Sequence, residues 1–131
     1  MLIKRYWVLK KQFFLLSIIY TLALTTVCLI KLNNLPDIKV SNGDKIFHLL
    51  AYLVLTFLWV NTFIYKFKLK KEHAIVYAGV FCIAFGIIIE VLQGSVTSYR
   101  SSDIYDVVAN TCGVLIMILI FVIKNLVTIK K

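Results

Sequence analysis

Four long apolar segments dominate this sequence, at about residues 13–30, 46–65, 74–93 and 103–123. About 20 helical residues cross a hydrocarbon core roughly 30 Å thick, and each segment is close to that length. Because 61% of the residues are hydrophobic and only short connections remain, we expect one membrane domain over residues 1–131. The predicted fold is all-α, a polytopic membrane protein built as a bundle of four transmembrane helices. The first segment is too long for a signal peptide and lacks a small-residue cleavage site, so we expect it to stay attached.

Basic residues are distributed unevenly between the connections. Four Lys and Arg residues precede the first segment, four lie between the second and third, and three lie at the C-terminal end, against four in the other two connections. The positive-inside rule therefore predicts that both termini are cytoplasmic, an N-in/C-in topology. The formal net charge of +9 follows these loops, so we expect them to contact anionic membrane lipids and expect no nucleic-acid partner.

The three cysteines lie in separate apolar segments, with no Cys-x-x-Cys spacing and no histidine cluster near them. We interpret Cys28, Cys82 and Cys112 as buried small apolar residues. No nucleotide, phosphate-loop or zinc-hydrolase motif occurs either. The sequence therefore predicts no cofactor and contains no motif for a metal.

Polar residues concentrate where the second segment begins. Asp44, His48 and Tyr52 recur at i, i+4 and i+8, which places them on one helical face. Simple structural roles exist for the charged residues here. Asp44 can cap the helix, Lys45 can extend outward to the surface, and His48 can hydrogen-bond a neighbouring helix.

A second group of polar residues spans the end of the third segment and the start of the fourth. Glu90 and Gln93 share a face at i+3, and Glu90 is flanked by apolar residues, so we expect its side chain to face inward with a partner. In the fourth segment, residues 103, 106, 110 and 113 form one stripe. Helix capping explains either Asp103 or Asp106. An Asn at position 110 needs a partner on another helix, and Gly113 permits close approach.

The topology predicted from lysines alone puts all these polar residues at the external face of the membrane. Three helices contribute, so we predict one external polar pocket, in which close carboxylates can share protons or bind a cation. The predicted binding residues are Asp44, Lys45, His48, Tyr52, Glu90, Gln93, Arg100, Asp103, Asp106 and Asn110.

These residues and their spacing resemble the VanZ-like family of small bacterial membrane proteins. The resemblance covers roughly residues 44–113, and the sequence departs from it in having Ser98 and Met117 where many members have Pro and Gly. It implies a multi-pass protein of the bacterial cytoplasmic membrane, related to a protein that lowers susceptibility to teicoplanin, a lipid-bearing glycopeptide. The matching residues are Asp44-Lys45-x-x-His48 with Tyr52, Glu90-x-x-Gln93, and Arg100-x-x-Asp103-x-x-Asp106-x-x-x-Asn110-x-x-Gly113.

Three functions remain open on the sequence. The pocket can bind an amphiphilic envelope molecule, either a lipid-linked wall intermediate or a lipoglycopeptide. It can instead modify a lipid headgroup, with Glu90, His48 or Asp106 as the candidate catalytic residues. It can also be a structural network in a subunit of an envelope complex, since catalytic clusters and structural networks look alike in sequence. The sequence predicts no oligomeric state.

Overall fold

The computed structural model describes residues 1–30, 43–96 and 102–130. Each of the four helices in this part of the chain is long and apolar enough to cross a membrane. The predicted all-α fold with four spanning helices is therefore confirmed. The helices are α1 (Leu2–Leu29), α2 (Gly43–Tyr65), α3 (Lys71–Val96) and α4 (Ile104–Ile129).

The helices extend beyond the apolar segments, and the difference is largest in α1. This helix begins at Leu2, whereas the apolar segment begins near residue 13. Neither Gly nor Pro occurs between residues 2 and 29, and the basic residues near the start are good helix formers. The apolar segment therefore marks the part suited to hydrocarbon, and the helix continues past it.

The second helix lies at the centre of the bundle. Both α2 and α3 pack against all three other helices, and α2 makes the more extensive contacts, whereas α1 and α4 each contact only α2 and α3. The core includes fully buried side chains from three helices, among them Leu55 and Val60 of α2, Cys82 of α3 and Val114 of α4. Residues on the buried faces of α2 can consequently meet residues from every other helix.

Small residues allow close contact between the helices, as their positions in the sequence predicted. A Cβ atom on Gly113 of α4 would overlap the backbone carbonyl oxygen of Leu49 in α2. A Cβ on Gly86 of α3 would lie 3.0 Å from the Tyr52 ring and 3.3 Å from Asn110 Nδ2. Both glycines therefore lie where helices meet near the polar residues.

Hydrogen bonds made by side chains of α1 connect this helix to α2. The hydroxyls of Ser17 and Thr62 lie 2.6 Å apart in a buried contact, and Tyr20 Oη donates to the Ala51 carbonyl at 2.9 Å. Three threonines of α1 instead donate to carbonyls four residues earlier in their own helix, as expected for hydroxyls in a span. The first helix is thus joined to the bundle by polar bonds as well as by packing.

The interpretation of the cysteines is right for two of the three. Cys28 and Cys82 are buried, whereas Cys112 is exposed, and none of the three forms a disulfide within the described part of the chain. The buried stripe of α4 passes through residues 106, 109, 110, 113, 114 and 117. Position 112 falls outside that stripe, so Cys112 faces away from the bundle.

Candidate functional site

The polar residues predicted for α2 share a face that runs from the surface into the core. The side chain of Asp44 is 48% exposed, whereas His48 is 1% exposed and Tyr52 is fully buried. Asp44 lies in the first turn of the helix. Successive turns therefore carry a carboxylate, an imidazole and a phenol from the helix end inward.

The two aspartates at the start of α4 have different roles. Asp103 is the N-cap, and its side chain accepts a hydrogen bond of 2.9 Å from the amide of Tyr105. Asp106, one turn later, is 4% exposed and faces His48 of α2, whereas Asn110 is 2% exposed and lies beside Gly86 of α3. Capping thus accounts for Asp103 only, and the other two polar side chains are buried between helices.

Ion pairs connect α2 with α4. Lys45 Nζ lies 3.5 Å from Asp103 Oδ2 and 3.9 Å from Asp106 Oδ1. His48 Nε2 lies 3.6 Å from Asp44 Oδ1 and 3.6 Å from Asp106 Oδ2. The two oxygens of Asp106 therefore face different groups, the lysine ammonium on one side and the imidazole on the other.

The end of α3 is bonded to its neighbours through their backbones. Glu90 Oε1 accepts a hydrogen bond of 2.6 Å from the amide of Asp103, and Gln93 Nε2 donates to the Cys28 carbonyl at 2.9 Å. Both side chains are buried, as their placement in the sequence predicted for Glu90. All four helices consequently contribute to the site, including α1, which the sequence did not indicate.

Several buried polar atoms at the site lack a hydrogen-bond partner among the residues that the structure describes. They belong to all three of the helices that carry the predicted residues. Buried polar groups are usually satisfied, so each of these atoms is a position where a bound molecule, an ion or a water molecule could donate or accept. The atoms are His48 Nδ1 and Nε2, Tyr52 Oη, Glu90 Oε2, Asp106 Oδ1, and Asn110 Nδ2 and Oδ1.

Nine of the ten predicted residues lie at one end of the bundle, where α2 and α4 begin and α1 and α3 end; we call it the polar end. The tenth, Arg100, and the position of Ser98 lie outside the described residues. The cluster can hold a cation between carboxylates, bind an anion through Lys45 or transfer a proton through His48. Glu90 and Gln93 bond to backbone groups. Because every residue carries such groups, the sequence could not identify these partners.

The opposite end of the bundle has a polar cavity that the sequence did not predict. Its volume is about 160 Å³, and Lys71 and Lys124 contribute charge to its wall. Asn61, a polar residue within the second apolar segment, and Asn125, just beyond the fourth, also line it and were the available signal. Lysine and amide groups without a carboxylate suit an anionic headgroup.

Fold and site together define a multi-pass α-helical membrane protein with a buried cluster of ionisable residues at one end of its helix bundle. The model of the VanZ/LLP1 family matches residues 4–125, and the chain belongs to this family, which is linked to teicoplanin resistance. The match covers more of the chain than residues 44–113, to which the resemblance seen in the sequence was limited. Most of α1 and most of α4 therefore also share the family pattern. No curated protein and no solved structure matches the chain.

Proposed function

We propose that the polar end binds the polar part of an amphiphilic envelope molecule in the outer leaflet, and that this lowers susceptibility to teicoplanin. The molecule is a lipid-linked wall intermediate or the lipoglycopeptide itself. The observation that carries the proposal is a set of buried polar atoms that have no hydrogen-bond partner among the described residues, on His48, Tyr52, Glu90, Asp106 and Asn110. Desolvated groups of this kind offer strong, directional contacts to a bound headgroup.

The distribution of lysine and arginine residues supports a position of the polar end in the outer leaflet. The polar end lies where α1 and α3 end and α2 and α4 begin, the side to which the sequence assigns four of the fifteen basic residues, against eleven on the other side. The positive-inside rule assigns the richer side to the cytoplasm. We therefore assign the polar end to the external face of the bacterial cytoplasmic membrane.

An apolar groove beside the cluster supports an amphiphilic ligand. It has a volume of about 160 Å³ and lies between α1 and α2, and the ring of Phe47 in its wall lies 5.7 Å from that of His48. A polar head at the cluster leaves its acyl chain within reach of this groove. Anchoring in the membrane also raises the local concentration of such a ligand, so a weak headgroup site is sufficient. The groove is lined by Tyr20, Ala23, Leu24, Val27, Phe47 and Ala51.

Antibiotic susceptibility tests this function. Overexpression of the protein should protect cells against teicoplanin more than against a glycopeptide without a lipid tail. Glu90→Gln and Asp106→Asn should abolish the protection when the variants are expressed and folded. Glu72→Gln is the matched control, because Glu72 lies exposed in the first turn of the same helix as Glu90, and it should protect fully.

Two results would contradict the proposal. One is an equal shift for the lipidated and the lipid-free drug, which a purely structural role in the envelope predicts. The other is full protection by both Glu90→Gln and Asp106→Asn.

Headgroup modification is the second candidate function. The specific observation in its favour is that His48 Nε2 lies between two carboxylates while Glu90 Oε2 has no hydrogen-bond partner within residues 1–30, 43–96 and 102–130, an arrangement suited to general acid-base chemistry. Purified protein incubated with lipid extracts separates the two functions. Mass spectrometry should find a retained amphiphile of unchanged mass if the protein binds, and a product of altered mass if it catalyses.

A further inference from the structure

We propose that Asp44, His48 and Asp106 form a binding site for a Zn²⁺ ion. One potential ligand atom from each of the three lies within 4.8 Å of the others. Asp44 and His48 lie on successive turns of α2, and Asp106 faces them from α4. The site therefore joins the two helices that the Gly113 contact brings together, and it does not depend on the ligand proposed above.

The spacing of the ligand atoms fits tetrahedral coordination. Zinc binds imidazole nitrogen and carboxylate oxygen at about 2.0–2.2 Å, so neighbouring ligand atoms in a tetrahedral site lie about 3.4 Å apart. His48 Nε2 lies 3.6 Å from an oxygen of each aspartate. Octahedral coordination at the same bond lengths requires about 3.0 Å. The two separations at His48 are closer to the tetrahedral value, and the two carboxylates, which lie within 4.8 Å of each other, would have to move closer together to complete the site.

The buried imidazole supplies an independent reason to expect a ligand. Both nitrogens of His48 lack a hydrogen-bond partner within the described part of the chain, and the residue is only 1% exposed. At 3.6 Å, Nε2 faces both carboxylates yet lies beyond hydrogen-bonding distance of each. An ion placed between the three groups would satisfy the nitrogen that the aspartates do not reach.

Charge and ligand type favour zinc over other divalent ions. Two carboxylates neutralise the charge of the ion, and a neutral imidazole suits transition metals, whereas Mg²⁺ and Ca²⁺ prefer oxygen ligands alone. Lys45 Nζ pairs with Asp103 and with the other oxygen of Asp106, which orients that carboxylate and leaves its Oδ2 for the metal. Three protein ligands leave a fourth position for water or for a ligand atom.

Metal content of the purified protein tests the site. The full chain is isolated in detergent through a tag without histidine, stripped with a chelator, incubated with Zn²⁺ and desalted. The wild type should retain about one Zn²⁺ per chain. His48→Gln and Asp44→Asn should weaken binding by more than the roughly 10- to 100-fold that loss of an outer-shell partner causes.

Matched controls use the other histidine and an acidic residue at the opposite end of the bundle. His73 and Glu72 are exposed in the first turns of α3, so His73→Gln and Glu72→Gln should bind zinc as the wild type does. Retention of no zinc by the wild type, or equal retention by His48→Gln and the wild type, would overturn the proposal. Loss of zinc in His73→Gln instead would also overturn it.

Two further measurements keep the test decisive if His48→Gln does not fold. Asp44 is half-exposed, so Asp44→Asn should fold, and Zn²⁺ should raise the melting temperature of the wild type but not of this variant. Cobalt substituted into the wild type should give the intense visible absorption of tetrahedral Co²⁺. An equal thermal shift in both proteins, or the weak spectrum of octahedral Co²⁺, contradicts a three-ligand tetrahedral site.

Discussion

Asp103 and Asp106 show how similar residues three positions apart acquire different roles. Helix-capping rules predicted that one of them needs no function beyond starting the helix, and the structure assigns that role to Asp103. Asp106 is buried against His48 and Lys45. Sequence could not separate the two, because both positions suit a first turn and the choice depends on which residue faces α2.

Removal of the cap should destabilise the protein more than removal of its charge. Asp103→Ala should lower the free energy of unfolding by about 0.5–2 kcal/mol through loss of the cap. Asp103→Asn retains a capping oxygen and loses only the partly exposed pair with Lys45, which is worth about 1 kcal/mol or less. Reversible unfolding in mixed micelles measures both variants. An Asn variant as unstable as the Ala variant would show that charge, rather than capping, is the role of Asp103.

At the scale of the helix, periodicity predicted which face of α2 carries the site but not how the helices are arranged. The spacing of Asp44, His48 and Tyr52 was sufficient to place them on one face, and burial of the latter two followed. Side chains that face lipid are as apolar as those that face the core. For this reason the exposure of Cys112 and the central place of α2 were not evident in the sequence.

The contact at Gly113 should be intolerant of a methyl group. Gly113→Ala places a Cβ against the Leu49 carbonyl, which is backbone and cannot move aside, so we expect destabilisation of about 1–3 kcal/mol. Gly79→Ala is the matched control, because its Cβ meets only the flexible end of Ile118, at 2.6 Å. Thermal unfolding in detergent compares the two. Equal melting temperatures would contradict close packing of α2 and α4 at this point.

The bond between Ser17 and Thr62 should couple α1 to α2 energetically. A double-mutant cycle of Ser17→Ala and Thr62→Val isolates the pair. Hydrogen bonds between membrane helices average about 0.6 kcal/mol, with a maximum near 1.7 kcal/mol, and burial of this pair favours the upper half of that range. The same cycle on Ser17 and Asn61, which bonds within its own helix, should give no coupling. Strict additivity for Ser17 and Thr62 would exclude the bond.

For the whole molecule, the membrane itself made the fold predictable. Backbone groups cannot remain unpaired in hydrocarbon, so apolar segments of this length must form helices. The number of helices then equals the number of apolar segments. The convergence of the polar residues was predictable because consecutive spans alternate in direction. The contribution of α1 and the cavity near Lys71 and Lys124 depend on helix packing, which the order of the segments does not determine.

Sidedness is predicted by the lysines and is testable by chemical labelling. In a background of Cys28→Ala, Cys82→Ala and Cys112→Ser, single cysteines replace Asn34, Ser98 or Lys68. A membrane-impermeant thiol reagent added to intact cells should label the first two positions and should label Lys68→Cys only after permeabilisation. The reverse pattern would place the polar end in the cytoplasm and remove the basis for an extracellular ligand.

The backbone contact at Gly113 also makes the geometry of the polar end sensitive to the angle between α2 and α4. With no side chain between α4 and the Leu49 carbonyl, the two helices approach closely there, so a change in the angle between them would move the more distant residues most. Asp106 lies seven residues away, about 10 Å along the axis, so each degree of tilt shifts it by about 0.2 Å relative to His48. A tilt of a few degrees therefore changes the distance between Asp106 and His48 enough to make or break a shared contact. An ion or headgroup bound at the polar end would oppose such a change in the angle between α2 and α4.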